Sequence, residues 1–211
     1  MKAIIFDYNG TLVDDLRFHE SAYYKAAKEV GSNVTMEDIG NWISLSPIEK
    51  MKRILGKEDI NQEDIKLLRN LTGKYYIEEV GDTNILFDGV EDVLSYLSQK
   101  YVLSIVTNSS KDKFDPLFPQ KLKDMFKVMI FSGQIKNPKP SPDALLKAAE
   151  DLGLPVDECV YVGDSLIDIK AAKAANMNII LIATGRDSKE ELEKAGAETV
   201  LNNIRELKDM L

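Results

Sequence analysis

The chain opens on Ala3-Ile4-Ile5-Phe6, an apolar run with no polar alternation, stopped at Asp7. A strand with one wet face alternates. A strand that does not alternate is buried on both faces, as in a parallel sheet covered by helices on both sides. Gly10-Thr11 turns the chain immediately afterwards. A carboxylate at the end of such a strand sits at the edge where doubly wound sheets bind their ligands. That single stretch argues for an α/β fold and makes Asp7 the first candidate site residue.

The rest of the chain divides in two. From residue 16 to about 84 only helical periods occur. Leu16, His19, Tyr23, Ala26, Ala27 and Val30 recur at helical spacing until Gly31. Thr35 with Asp38 forms a weak capping box, and Ser46-Pro47-Ile48-Glu49 is a stronger helix start, predicting a helix to about Leu55. A longer helix is expected over roughly 62–80. From Ile85 the grammar alternates. Strands are expected over 102–107, 128–131, 160–162 and 179–182, with a short edge strand over 199–201. Helices lie between them; the one within 111–125 is broken near its middle by Pro116 and Pro119. Ser165 and Asp168 are placed to cap the helix that runs to Ala175. Alternating strands and helices imply a parallel sheet. The expected fold is a Rossmann-like, doubly wound parallel sheet core, residues 1–13 and 85–211, with an all-helical insertion at 14–84.

Composition sets outer limits. With 44% hydrophobic and 29% charged residues the chain reads as an ordinary soluble globular protein. No apolar run approaches the ~18 residues of a membrane span, and Met1-Lys2-Ala3 does not read as a signal peptide. Cys159 is the only cysteine, so no intramolecular disulfide forms; it reads as a small buried residue. A cytoplasmic protein is expected. The net charge of −8 argues against nucleic acid as a partner. It leaves anionic metabolites open, because a local cation overrides the global sign.

The strand ends carry the chemistry. Asp7 and Asn9 follow the first, Thr107 and Asn108 the second; Lys139 lies in a later loop, and Asp164 with Asp168 follows the fourth. In a parallel sheet these positions share one edge. Grouped acidic oxygens suit a hard octahedral ion, Mg²⁺ first among them. With Lys139 and Thr107 they would hold a phosphoryl group, where catalysis is mostly positioning and charge stabilisation.

D-x-N-G-T-L at 7–12, I-V-T-N at 105–108, Lys139-Pro140 and G-D-S-x-x-D at 163–168 resemble the haloacid dehalogenase superfamily, in order and at plausible separations. The helical insertion sits where phosphatases of that superfamily carry a cap domain that selects the substrate. The resemblance implies that Asp7 is a nucleophile that forms an aspartyl-phosphate. It implies that Asp7, the backbone carbonyl of Asn9, and Asp164 bind Mg²⁺. It implies that Thr107 and the Asn108 amide grip phosphoryl oxygens and that Lys139 neutralises charge. Asp168, supported by Ser165, would hold metal-bound water or orient Lys139. The implied partner is a small phosphorylated metabolite such as phosphoglycolate, and the implied assembly a monomer or homodimer.

Asn9 departs from the pattern. Those phosphatases have Asp there, which protonates the leaving oxygen and then activates the hydrolytic water. An amide does neither. A site that binds phosphate and metal but turns over slowly on alkyl phosphates is expected, since general acid-base help is worth ~10²–10⁴ in rate. Three other readings stand beside it. One is a 2-haloacid dehalogenase, which needs no such acid and no metal. Another is a phosphonoacetaldehyde hydrolase using a lysine, with Lys50 and Lys52 in the right region. The last is a non-catalytic phosphate-binding regulator. Within the insertion, His19 is either a polar substrate contact or a packing residue. Arg17, Asn41, Trp42, Ser44 and Ser46 lie on or near the expected cap loop. The Tyr23-Tyr24 and Tyr75-Tyr76 pairs are assigned to helix packing.

Overall fold

Strand β1, Ala3–Phe6, is buried along its whole length. Removing an Ile or Phe side chain from water is worth roughly 1.5–3 kcal/mol. The segment therefore takes the centre of the sheet. The computed structural model describes residues 1–42 and 45–211. Ser44, expected on the cap loop, lies outside the described residues.

Among the described residues six parallel strands form one sheet, in the order β3-β2-β1-β4-β5-β6. Besides β1 they are β2 (Val102–Val106), β3 (Phe126–Ile130), β4 (Cys159–Gly163), β5 (Asn178–Ile182) and β6 (Val200–Leu201). Ile5 is level with Ser104 on one side and Tyr161 on the other. The chain moves outward one way from β1 to β3 and the other way from β4 to β6. The direction reverses between β1 and β4, and there a doubly wound sheet opens its ligand crevice. This is the Rossmann-like core that the alternation implied.

The chain falls into two compact units, Met1–Asp14 with Ile85–Leu211, and Asp15–Asn84. In the first, helices α5 (Val90–Leu97), α6 (Lys111–Phe114), α7 (Gln120–Lys123), α8 (Asp143–Leu152), α9 (Leu166–Ala175), α10 (Lys189–Lys194) and α11 (Leu207–Met210) surround the sheet; numbers α1 to α4 belong to the second unit, below. Ala144, Leu145 and Ala148 of α8 and Ala171 and Ala172 of α9 pack with Ala3, Ile5 and Tyr161. Short side chains on the helices let them approach the sheet closely. Near β3, Phe114 packs on Tyr8, Phe118 and Phe131 at 4.8–5.0 Å between ring centres.

The second unit holds helices α1 (Leu16–Glu29), α2 (Met36–Asn41), α3 (Pro47–Leu55) and α4 (Gln62–Val80), with no strand among its described residues. Tyr23, Ala26, Ile39, Met51, Ile54 and Leu68 make its core, and Trp42, Tyr24 and Tyr75 pack against that core half-buried. Thr35 and Asp38 close the capping box of α2, and Ser46 accepts from the Glu49 N–H to start α3. No described helix is long and apolar enough to cross a membrane.

The segment 111–125 forms two short helices on either side of Pro116 and Pro119, where the break was expected. Strand boundaries differ from the sequence expectation by a residue or two. Strand β3 begins at Phe126, two residues early, with Lys127 exposed at the sheet edge. A 3₁₀ turn, Val156–Glu158, precedes β4.

Candidate active site

Asp7 leaves β1 with its N–H bonded to the Val162 carbonyl of β4 at 2.8 Å. One carboxylate oxygen accepts the Tyr8 N–H at 2.7 Å; the other accepts from the Lys139 ammonium at 2.8 Å. Thr107, buried at the end of β2, donates its backbone N–H to the Ile130 carbonyl of β3. Lys139 comes from the loop between β3 and α8, whose backbone the Asn108 side chain fixes. Asn108 donates to the Lys139 carbonyl at 3.0 Å and accepts the Lys139 N–H at 3.1 Å. The Asn108 side chain is thus engaged on the loop.

Asp164 comes from the turn that joins β4 to α9, and Asp168 from the first turn of α9. Asp168 is fully buried. One of its oxygens accepts from Lys139 and from the Tyr161 hydroxyl, both at 2.8 Å. The other accepts from the Asp164 and Ser165 N–H groups at 3.2 and 3.1 Å, and from the Ser165 hydroxyl at 2.5 Å. Ser165 therefore locks Asp168, which locks Lys139. Carboxylate oxygens of Asp7, Asp164 and Asp168 lie within 4.8 Å of one another.

Asn9 turns its amide oxygen to the Ser109 hydroxyl at 2.6 Å and the Thr107 hydroxyl at 3.3 Å. The strand-end residues expected to converge are therefore all here: Asp7, Asn9, Thr107, Asn108, Lys139, Asp164, Ser165 and Asp168.

Three carboxylates face one lysine in a buried site, and their proton affinities reflect it. Burial above all lifts Asp7 to about 6, against the pull of Lys139. Burial, then the charges of Asp168 and Asp7, push Asp164 well above the usual carboxylate range. Burial works against the charge of Lys139 too, but Asp168 and Asp7 outweigh it and raise the ammonium above the ordinary lysine value. Burial likewise opposes ionisation of Asp168, but Lys139, then the Lys139, Ser165 and Tyr161 hydrogen bonds, hold it below the ordinary value. The unbalanced negative charge centres on Asp7 and Asp164. A divalent cation fits there: the donors are hard oxygens, and added positive charge removes the strain of ionising both.

Backbone fits closely around Asp164. Gly10, at φ +74°, and Gly185 leave no room for a Cβ, which at either position would run into that carboxylate. Thr11 donates its hydroxyl to Asp164 at 2.9 Å, and Thr184 donates to the Gly10 carbonyl at 2.7 Å.

Sequence reasoning missed Thr11, Ser109, Tyr161, Thr184 and Gly185. Thr184 and Gly185 follow β5, so the rule that found the other strand ends applies to them as well. Tyr161 had a signal of its own, a hydroxyl in an otherwise apolar buried strand that must find a partner.

In the helical unit, His19 bonds to Asp15 at 3.1 Å and stacks on the Tyr76 ring at 4.3 Å, while the Tyr76 hydroxyl donates to Asp15 at 2.5 Å. Lys50 is buried with its ammonium 4.9 Å from the centre of the Tyr23 ring. Trp42 carries the Arg53 guanidinium over its ring at 5.4 Å. Cys159 is buried in β4, as a small core residue is expected to be.

Comparison with known proteins points one way. The family model described as haloacid dehalogenase-like hydrolase matches residues 4–182. Phosphoglycolate phosphatase of Escherichia coli strain K12 is 29% identical over 230 aligned positions, covering 98% of this chain and 91% of that protein. Among solved structures, a HAD hydrolase of family IA, variant 3, from Entamoeba histolytica superposes with a TM-score of 0.86 at 27% identity, over 98% of this chain and 95% of its own. A mutant of CbbY from Rhodobacter sphaeroides, in complex with xylulose-(1,5)bisphosphate, gives 0.84 at 25% identity, over 98% and 96%.

Proposed function

This chain belongs to the haloacid dehalogenase-like hydrolase family, and from that premise we propose that it is a Mg²⁺-dependent phosphatase of a small phosphorylated metabolite, working through an aspartyl-phosphate on Asp7. One observation carries the reading: the Asp7 carboxylate lies 2.8 Å from the Lys139 ammonium and within 4.8 Å of oxygens of Asp164 and Asp168. Asp7, Asp164 and the Asn9 backbone carbonyl would hold the ion, which supplies charge neutralisation for phosphoryl transfer.

The chain's own groups then act in order. Thr107 and the Asn108 backbone N–H bind phosphoryl oxygens, and Lys139 offsets the charge on Asp7 and on the phosphoryl group. A carboxylate oxygen of Asp7 forms a bond to phosphorus as the bond to the leaving oxygen breaks. Asn9 has no proton to give that oxygen, so alkyl phosphates react slowly and aryl or acyl phosphates less so. Asn9 also takes no proton from the attacking water in the second half. The aspartyl-phosphate therefore persists.

The excess of buried carboxylate over cation speaks against a metal-free dehalogenase. The similarity to phosphoglycolate phosphatase favours a small anionic substrate, with the helical unit assigned to its selection. A panel of small phosphates, assayed with this chain and with Asn9→Asp, tests the proposal. Asn9→Asp is expected to release phosphate from an alkyl phosphate roughly 10²–10⁴ times faster. Equal rates in the two chains overturn the role given to Asn9.

A further inference from the structure

Tyr161 stands in the middle of β4, fully buried and paired on both sides, level with Ile5 of β1 and Ile179 of β5. Its ring packs among Ala144, Leu145, Ala148 and Ala171 in the core beneath the sheet edge. Phenylalanine would fill that space equally well. A buried hydroxyl costs free energy unless it is bonded, so the oxygen is not there for packing. Both of its bonds go to the site: it accepts from Lys139 at 2.6 Å and donates to Asp168 at 2.8 Å.

The Lys139 ammonium has three N–H groups, and three partners surround it: Asp7, Asp168 and Tyr161. Two of those partners are carboxylates that would draw the ammonium toward whichever is nearer. The third is neutral and rigid, carried on an aromatic ring that the core holds still. With Asp168 it closes a triangle, since the phenol bonds to both. A third contact, carried on a rigid ring, fixes the direction of the ammonium more fully than the two carboxylates alone.

We infer that Tyr161 is a positioning residue for phosphoryl transfer, its hydroxyl holding the Lys139 ammonium in register with Asp7. The inference rests on the reading of Asp7 as the nucleophile. The task falls to a side chain whose hydroxyl bonds to Lys139 and Asp168.

The test follows single-turnover phosphorylation of Asp7 by p-nitrophenyl phosphate with Mg²⁺, read as the first burst of nitrophenolate. Tyr161→Phe is expected to lower the rate at saturating substrate roughly ten-fold while the half-saturating concentration stays within about two-fold. Tyr101→Phe serves as control. That hydroxyl bonds to the Leu211 carbonyl, away from the site, and its loss should leave the rate unchanged. In a Lys139→Met background the Tyr161→Phe change should cost nothing further, because its effect passes through Lys139. A Tyr161→Phe rate equal to the parent's overturns the inference. So does the same ten-fold loss appearing in the Lys139→Met background. A parent chain that gives no burst overturns the nucleophile reading and this inference with it, and that failure is distinct because it is seen before any substitution.

Discussion

The two units of this chain differ in how they use buried polar groups. In the sheet unit, Asp7, Thr107, Lys139, Asp164 and Asp168 are all buried, and they crowd the strand ends on either side of the β1/β4 reversal. In the helical unit the core is mainly apolar and aromatic; Asp15, Lys50 and Thr72 are buried one by one, and carboxylates such as Asp38 and Asp64 close capping boxes at helix starts. That unit is held mainly by packing and end-capping. The other keeps a net negative cluster that a structure built for stability alone would not contain. The contrast supports placing the proposed chemistry in the sheet unit.

Packing should therefore dominate in the helical unit. Leu68→Ala, at a fully buried position of α4, is expected to cost roughly 2–5 kcal/mol. Hydrogen exchange would read it as lost protection in α1 and α4 with β1 and β4 unchanged. Equal loss in both places would break the distinction between the units.

A buried phenol sharpens it. Burial pushes Tyr23 up to about 12 from an ordinary 10.0, with the Arg69 charge pulling the other way. The folded state therefore keeps its proton where the unfolded chain has lost it. The stability from this group is complete below pH 10 and disappears as pH rises through 10 to 12, up to about 3 kcal/mol in all. Tyr23→Phe removes the dependence. Urea midpoints of parent and variant should diverge across that window in favour of the variant; parallel curves contradict the assignment.

The smallest expected effect has the opposite sign. Charging Asp164 beside Asp7 and Asp168 is unfavourable without a cation. Asp164→Asn should therefore stabilise the metal-free protein by about 1–2 kcal/mol. It should also abolish the rise in melting temperature expected of the parent when Mg²⁺ is added. A variant less stable than the parent without metal would remove the claim that this cluster is strained for function.

Much of this was legible in the residues. The non-alternating run at Ala3–Phe6 placed the central strand. Helix α3 starts and stops where Ser46, Pro47 and Gly56 say it should, because capping is a local property. Local signals failed at the edges. Strand β3 pairs with β2 across a register shift at Leu103 and Ser104, which no periodicity announces. The site was legible to the extent that charged residues follow strands. Some of its hydroxyls and glycines were harder to read. Thr11, Ser109 and Thr184 act by contacts between segments up to 174 positions apart. Gly185 matters only because the Asp164 carboxylate lies against its backbone.

The central claim is that Asp7 takes up a phosphoryl group and, with Asn9 beside it, keeps it. Intact-protein and peptide mass spectrometry after incubation with Mg²⁺ and acetyl phosphate measures this directly. One phosphoryl group per chain is expected, on Asp7, labile to hydroxylamine and long-lived here but short-lived in Asn9→Asp. An unmodified Asp7, or a modification that decays equally fast in both chains, contradicts it.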